Sequence, residues 1–204
     1  MMRMEMGAQW EEYTCSDFDL PTTSPKRVKF WQDDDGKDHE VGVLLDRDEA
    51  KIHYVKDFIT PEECKAIEAA AAPSLHDATV ADGKGGSELV KSRKALQAGV
   101  RVPWEKEGDG DPIAALSRRV YDYVNDELPF DIQKDGQEDL MSIQYRGRGI
   151  NDPEPDRYRP HCDGQCDGLL FRPSGRVATM VMYCEEPRRG GVSTSIHISF
   201  FFLI

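Results

Sequence analysis

Hydrophobic and polar positions show no regular period through residues 1–39, where a Pro/Ser/Thr stretch, LPTTSPKRVKF, runs into an acidic stretch, QDDDGKDHE. The expectation there is a poorly ordered, acidic leader. From Glu40 the pattern tightens. EVGVLL and KIHYVKDF are short β-type runs, separated by the turn-like DRDEA. A helix signal follows: Thr60 stands at the N-cap, Pro61 at the first helical position and Glu63 where a capping box closes. The alanine-rich CKAIEAAAA continues that helix, and Pro73 stops it. ADGKGGSELVKSRK and EKEGDGDP have loop character. A second helix is predicted from Asp111 as N-cap and Pro112, with Ile113, Leu116, Val120, Tyr123 and Val124 on one face. After LPFDI the period returns to two in DLMSIQYR, RVATMVMYC and GGVSTSIHISFFFLI. RVATMVMYC is apolar on both faces, which predicts a central strand covered on both sides.

Helices first and then strands, with no helix between the strands, exclude a doubly wound sheet. The predicted class is α+β, mainly β. The core is expected to be a double-stranded β-helix, the jelly-roll or cupin-like arrangement, with the N-terminal helices packed on one sheet.

Composition narrows the function classes. The 204 residues carry a formal charge of −12. Residues through Glu49 hold 13 acidic and 6 basic side chains, so −7 of it sits in that quarter. A nucleic-acid partner is not expected, because phosphate neutralisation needs a basic surface. PKRVK has the look of a short nuclear address, but a solvated tail is the simpler reading. No apolar run approaches the ~20 residues that span a bilayer, so no membrane association is expected, and no secretory signal is visible. Five cysteines at irregular spacing do not form a disulfide framework. The default location is therefore cytoplasmic and reducing, or the endoplasmic reticulum if further residues precede Met1.

The richest chemistry lies in YRPHCDGQCDG, Tyr158 to Gly168. Zinc would use His161 with Cys162 and Cys166, but no second Cys/His pair completes four ligands. Calcium would use Asp163 and Asp167, with too few oxygen ligands around them. DDDGKD near the N-terminus likewise lacks the alternating acids and closing Glu of a calcium loop. Iron would use His161 and Asp163: two residues apart on a strand, they project to one face and supply two corners of a two-His-one-carboxylate triad.

Four segments in order carry a resemblance: YVKDFITPEECKAI, SRRVYDYVNDELPF, SIQYRGRG…YRPHCD, and RVATMVMYCEEPRRGG. Together they resemble the prolyl 4-hydroxylase branch of the Fe(II)/2-oxoglutarate-dependent dioxygenases. The resemblance implies hydroxylation of a peptidyl residue, most naturally proline, coupled to decarboxylation of 2-oxoglutarate to succinate. Fe(II), 2-oxoglutarate and O2 would take part, and ascorbate would keep the iron reduced. By the same resemblance His161 and Asp163 hold the metal, and Tyr145 and Ser193 contact 2-oxoglutarate. Tyr158 and Arg176 lie near a proline-containing peptide substrate.

The chain departs from that pattern at its end. The family has a second histidine ligand on a later strand and then a Lys or Arg for the distal carboxylate of 2-oxoglutarate. Here His197 is the one histidine after Gly191 and comes too soon, and no Lys or Arg follows Arg189. The expected organisation is a leader over 1–39, a partial dioxygenase domain over 40–191 and an atypical tail over 192–204. An incomplete β-helix of that kind is expected to be impaired or inactive. Two other readings stand beside it: a non-catalytic β-helix binding module, and a small zinc-binding protein.

Overall fold

The computed structural model describes residues 23–47, 50–81, 86–91, 93–129, 131–147, 156, 158, 176–185 and 200–203. These form a mixed helix and sheet structure dominated by strands, as the α+β expectation has it. Two helices, α1 (Pro61–Ala71) and α2 (Pro112–Glu127), pack against strands gathered into three sheets.

Both helix starts follow their sequence signals. The Thr60 side chain accepts from the Glu63 amide at 3.2 Å, and the Glu63 carboxylate accepts from the Thr60 amide at 2.8 Å. Two of the orphan donors at this terminus are thereby satisfied. Asp111 Oδ1 accepts from the amides of Ile113 and Ala114. The predicted apolar stripe faces inward: Ile113, Leu116, Tyr123 and Val124 are buried, and Val120 packs partly buried against them.

The five-stranded sheet has the order β1-β2-β3-β10-β9 among the described residues. Its strands are β1 (Arg27–Gln32), β2 (Asp38–Arg47), β3 (Ala50–Val55), β9 (Ala178–Val181) and β10 (Phe200–Leu203). β1, β2 and β3 pair antiparallel, whereas β10 runs parallel to both β3 and β9. The second sheet has the order β4-β7-β8, from β4 (His76–Asp77), β7 (Ala95–Val100) and β8 (Leu140–Tyr145), all antiparallel. β5 (Thr79–Ala81) and β6 (Ser87–Leu89) form a two-stranded ribbon.

Four expectations are corrected by these elements. Order begins well before Glu40, because β1 lies inside the stretch read as a leader. Trp31 is buried in the core and its indole N–H donates to Asp126 Oδ2 at 2.7 Å, while Lys29 pairs with Glu127. The acidic run is the β1–β2 turn, not a solvated tail. Asp33 caps it by accepting from the amides of Gly36 and Lys37, and Gly36 takes a left-handed φ of 80°. β9 is not central among the described strands; it ends the sheet order, and its four residues are half-buried. Finally, Cys64 of α1 and Cys184 after β9 form a disulfide across 120 residues of sequence, where reduced cysteines had been expected.

The core sits between the β1–β3 face, the two helices and β7. Trp31, Val41, Val43, Val55 and Phe58 meet Ile67 and Ala71 of α1, Leu116 and Tyr123 of α2, and Ala98 and Val100 of β7. Trp31 and Tyr123 pack edge to face at 5.1 Å, an arrangement that adds about 1 kcal/mol to simple burial. A buried polar network clamps the helices to one another. Arg119 of α2 forks onto Glu63 of α1 with contacts of 2.8 and 3.2 Å. Its Nε lies 3.5 Å from Asp33, which holds His39 Nε2 at 3.0 Å.

Candidate functional site

β8 carries the first candidate residue at its end. Its burial alternates: Leu140, Ser142 and Gln144 are half-buried, and Met141, Ile143 and Tyr145 line the exposed face. Tyr145 lies opposite Ala95, the first residue of β7. Two residues before Ala95, at the same end of the ladder, stands Arg93, only 7% exposed. Its guanidinium lies over the Tyr158 ring, 4.0 Å from the centroid, and also donates through Nη1 to the Thr79 carbonyl. Among the described residues its Nε has no hydrogen-bond partner. This strand end therefore gathers Tyr145 and an Arg93–Tyr158 stack, a cation held on an aromatic face at the margin of an exposed apolar strand.

The other end of β8 holds a second pair. Arg176, two residues before β9, makes a two-pronged contact with Glu138, two residues before β8; Nη2 to Oε2 measures 2.6 Å. The pair ties the starts of two strands from different sheets. β8 itself spans about 17 Å at ~3.3 Å per residue, so the Arg176–Glu138 pair and the Tyr145 end are separate clusters.

His161, Asp163 and Ser193 lie outside the described residues, as do Cys162, Cys166 and His197. Among the described residues no group of three or more His, Cys, Asp or Glu side chains could hold a metal ion. The histidines that are described are engaged in the fold. His39 pairs with Asp33, and His53 shares a 2.8 Å hydrogen bond with the Tyr123 hydroxyl. Burial pushes the His53 imidazole down to about 4, against the opposing pull of Glu127 at 3.8 Å.

A surface cavity of about 410 Å³ opens elsewhere, between α2 and segment 131–135, beside Arg118, Tyr121 and Lys134. None of the residues assigned from sequence lines it. Two residues of the strand-end clusters escaped the sequence reading, Arg93 and Glu138. Arg93 sits in a stretch that reads as loop, and Glu138 becomes notable only through Arg176, 38 residues away.

Comparison with known proteins adds relatives. No protein-family model matches the chain, and no solved structure matches it. Prolyl 4-hydroxylase 1 of Arabidopsis thaliana is 32% identical over 143 residues, covering 69% of this chain and 45% of the relative. Prolyl 4-hydroxylase subunit alpha-1 of Caenorhabditis elegans is 27% identical over 136 residues, 67% of this chain and 22% of the relative. Probable prolyl 4-hydroxylase 8 of Arabidopsis thaliana is 26% identical over 171 residues, 83% of this chain and 52% of the relative. The chain thus spans about half or less of the length of these relatives.

Proposed function

With this chain a relative of the prolyl 4-hydroxylases, we propose that it is an Fe(II)/2-oxoglutarate-dependent dioxygenase built on a jelly-roll core, taking a proline-containing peptide as substrate. The 32% identity over 143 residues carries the reading. The strand-end arrangement of Tyr145, Tyr158 and Arg93 supports it.

In this reading His161 and Asp163 hold the iron. The bound metal and 2-oxoglutarate supply the oxidising chemistry that hydroxylates an unactivated carbon, and ascorbate keeps the metal in its ferrous state. The chain's own groups bind and orient. Tyr145 offers a phenolic O–H to a carboxylate of 2-oxoglutarate from the exposed face of β8, and Ser193 offers a second hydroxyl. Tyr158 presents an aromatic face to a proline ring, and Arg93 beneath it fixes the tilt of that face. Arg176 is held by Glu138 in a defined direction, from which it can donate to a peptide carbonyl.

Residues 1–204 hold two of the three iron corners and no basic residue after Arg189. This chain by itself is therefore expected to bind Fe(II) or Mn(II) weakly and to release succinate slowly. Titration of either metal, with and without 2-oxoglutarate and followed by succinate release, tests the reading. Binding should be lost in His161→Ala and Asp163→Ala and kept in Cys166→Ala. Loss in Cys166→Ala with retention in Asp163→Ala would mean a zinc site instead, and no metal binding at all would leave a non-catalytic module.

A further inference from the structure

β1 is an edge strand: among the described residues it pairs with β2 alone. Its side chains divide cleanly. Lys29 and Trp31 face the helices, whereas Val28 and Phe30 stand on the outer face, 51% and 70% exposed. The row across the sheet continues Val28 through Gly42 to Tyr54, which is also exposed, and Pro25 closes over Gly42. Two large apolar side chains at alternate positions on an unpaired edge form an incomplete sheet face.

We infer that β1 is a homodimer interface, pairing antiparallel with β1 of a second copy about a two-fold axis through Lys29. This register sets Val28 opposite Phe30 of the partner subunit and Phe30 opposite the partner's Val28. Two cross-strand apolar pairs form on one face, and the sheet runs on from one subunit into the next. A two-fold centred on Val28 or on Phe30 would give only one apolar pair, so the Lys29 register buries more.

The charges permit it. The basic side chains within β1 are already neutralised inside their own subunit, Arg27 by Asp46 at 2.6 Å and Lys29 by Glu127. Glu40, the acid beside Phe30, is matched by Lys56 at 2.6 Å. Lys26 falls in the row of the partner's Gln32, whose amide holds its own Asp38 at 3.1 Å. In this register each copy directs its Lys26 ammonium toward Asp38 of the partner subunit. A self-complementary patch of this kind is what a two-fold interface requires.

Sedimentation velocity on the full chain, over a range of concentrations at fixed salt, tests the inference. A reversible monomer–dimer equilibrium is expected, with concentration-dependent protection of the amides of residues 26–32 from hydrogen exchange. Phe30→Glu and Val28→Glu should each weaken dimerisation by about tenfold or more. Both positions are exposed, and an unchanged melting curve of the dilute monomer confirms that each variant folds. Leu89→Glu, at another exposed apolar residue, should leave the equilibrium unchanged. Asp38→Lys should weaken the dimer, and Lys26→Glu added to it should restore binding. A chain that stays monomeric throughout overturns the inference, and so does a dimer indifferent to Phe30→Glu.

Discussion

At the scale of single residues, His53 carries the clearest pH dependence. It is buried and neutral, with its folded pKa near 4 against an ordinary value of about 6.5. A depressed histidine contributes stability that is complete above pH ~6.5 and is lost as pH falls through about 4, since the unfolded chain takes up the proton first. The contribution is on the order of 3 kcal/mol. Urea midpoints at pH 7 and pH 4.5 should therefore fall further for the parent chain than for His53→Gln. A second prediction concerns Glu63, which caps α1 and receives Arg119. Arg119→Ala leaves that carboxylate buried without its partner and should cost about 3–5 kcal/mol. Thr60→Ala removes only the cap and should cost about 1 kcal/mol. Denaturant melts of the two variants, measured side by side, separate these outcomes. The cap is legible from Thr60, Pro61 and Glu63 because its partners are three residues apart. The Arg119 fork is not, because its partners lie 56 residues apart and nothing local marks them as a pair.

Elements were legible where period and punctuation agree. α1, α2, β2, β3 and β8 follow their patterns because each has clean caps or clean alternation. β7 was missed: ALQAGV has one β-branched residue and a glycine, so its strand state comes from pairing on both sides with β4 and β8. β1 was missed because RVKFWQ lies between a Pro/Ser/Thr stretch and an acidic run, and its two ion pairs reach acids far along the chain. The disulfide between α1 and the end of β9 was also hidden, since spacing alone cannot choose among five cysteines. Closing so long a loop should stabilise the fold by about 5 kcal/mol through the unfolded state. Reductant should lower the melting temperature of the parent chain by about 10 degrees or more. A chain carrying both Cys64→Ser and Cys184→Ser should melt at that lower temperature whether or not reductant is present.

For the molecule as a whole, a mixed structure dominated by strands was legible, but the helices-first order was not: β1, β2 and β3 precede α1, and β4 to β7 lie between α1 and α2. The parallel placement of β10 beside β3 and β9 was beyond reach, because FFFL has no alternation from which to read a direction. No helix among the described residues is long and apolar enough to cross a membrane. The candidate site was legible only as a family pattern: Tyr145, Tyr158 and Arg176 could be named from their motifs, but their partners Arg93 and Glu138 could not. In the proposed peptide site, exchanging Arg93 for Lys, which keeps the charge and loses the planar stack, should weaken binding of a proline peptide several-fold. Calorimetric titration of the peptide into the parent and variant chains checks this without turnover.

The Cys64–Cys184 bond also dictates an order of events during biosynthesis. At ~5–20 residues per second, Cys184 leaves the ribosome roughly 6–24 s after Cys64, given their separation of 120 residues. Cys15 precedes Cys64, and Cys162 and Cys166 emerge before Cys184, so three competing thiols reach Cys64 before its native mate. In an oxidising setting the earliest crosslinks should be wrong ones, and the yield of native chain should follow disulfide isomerase supply. Pulse-labelled chains trapped by alkylation would show Cys64 passing from those partners to Cys184 once Cys184 has emerged.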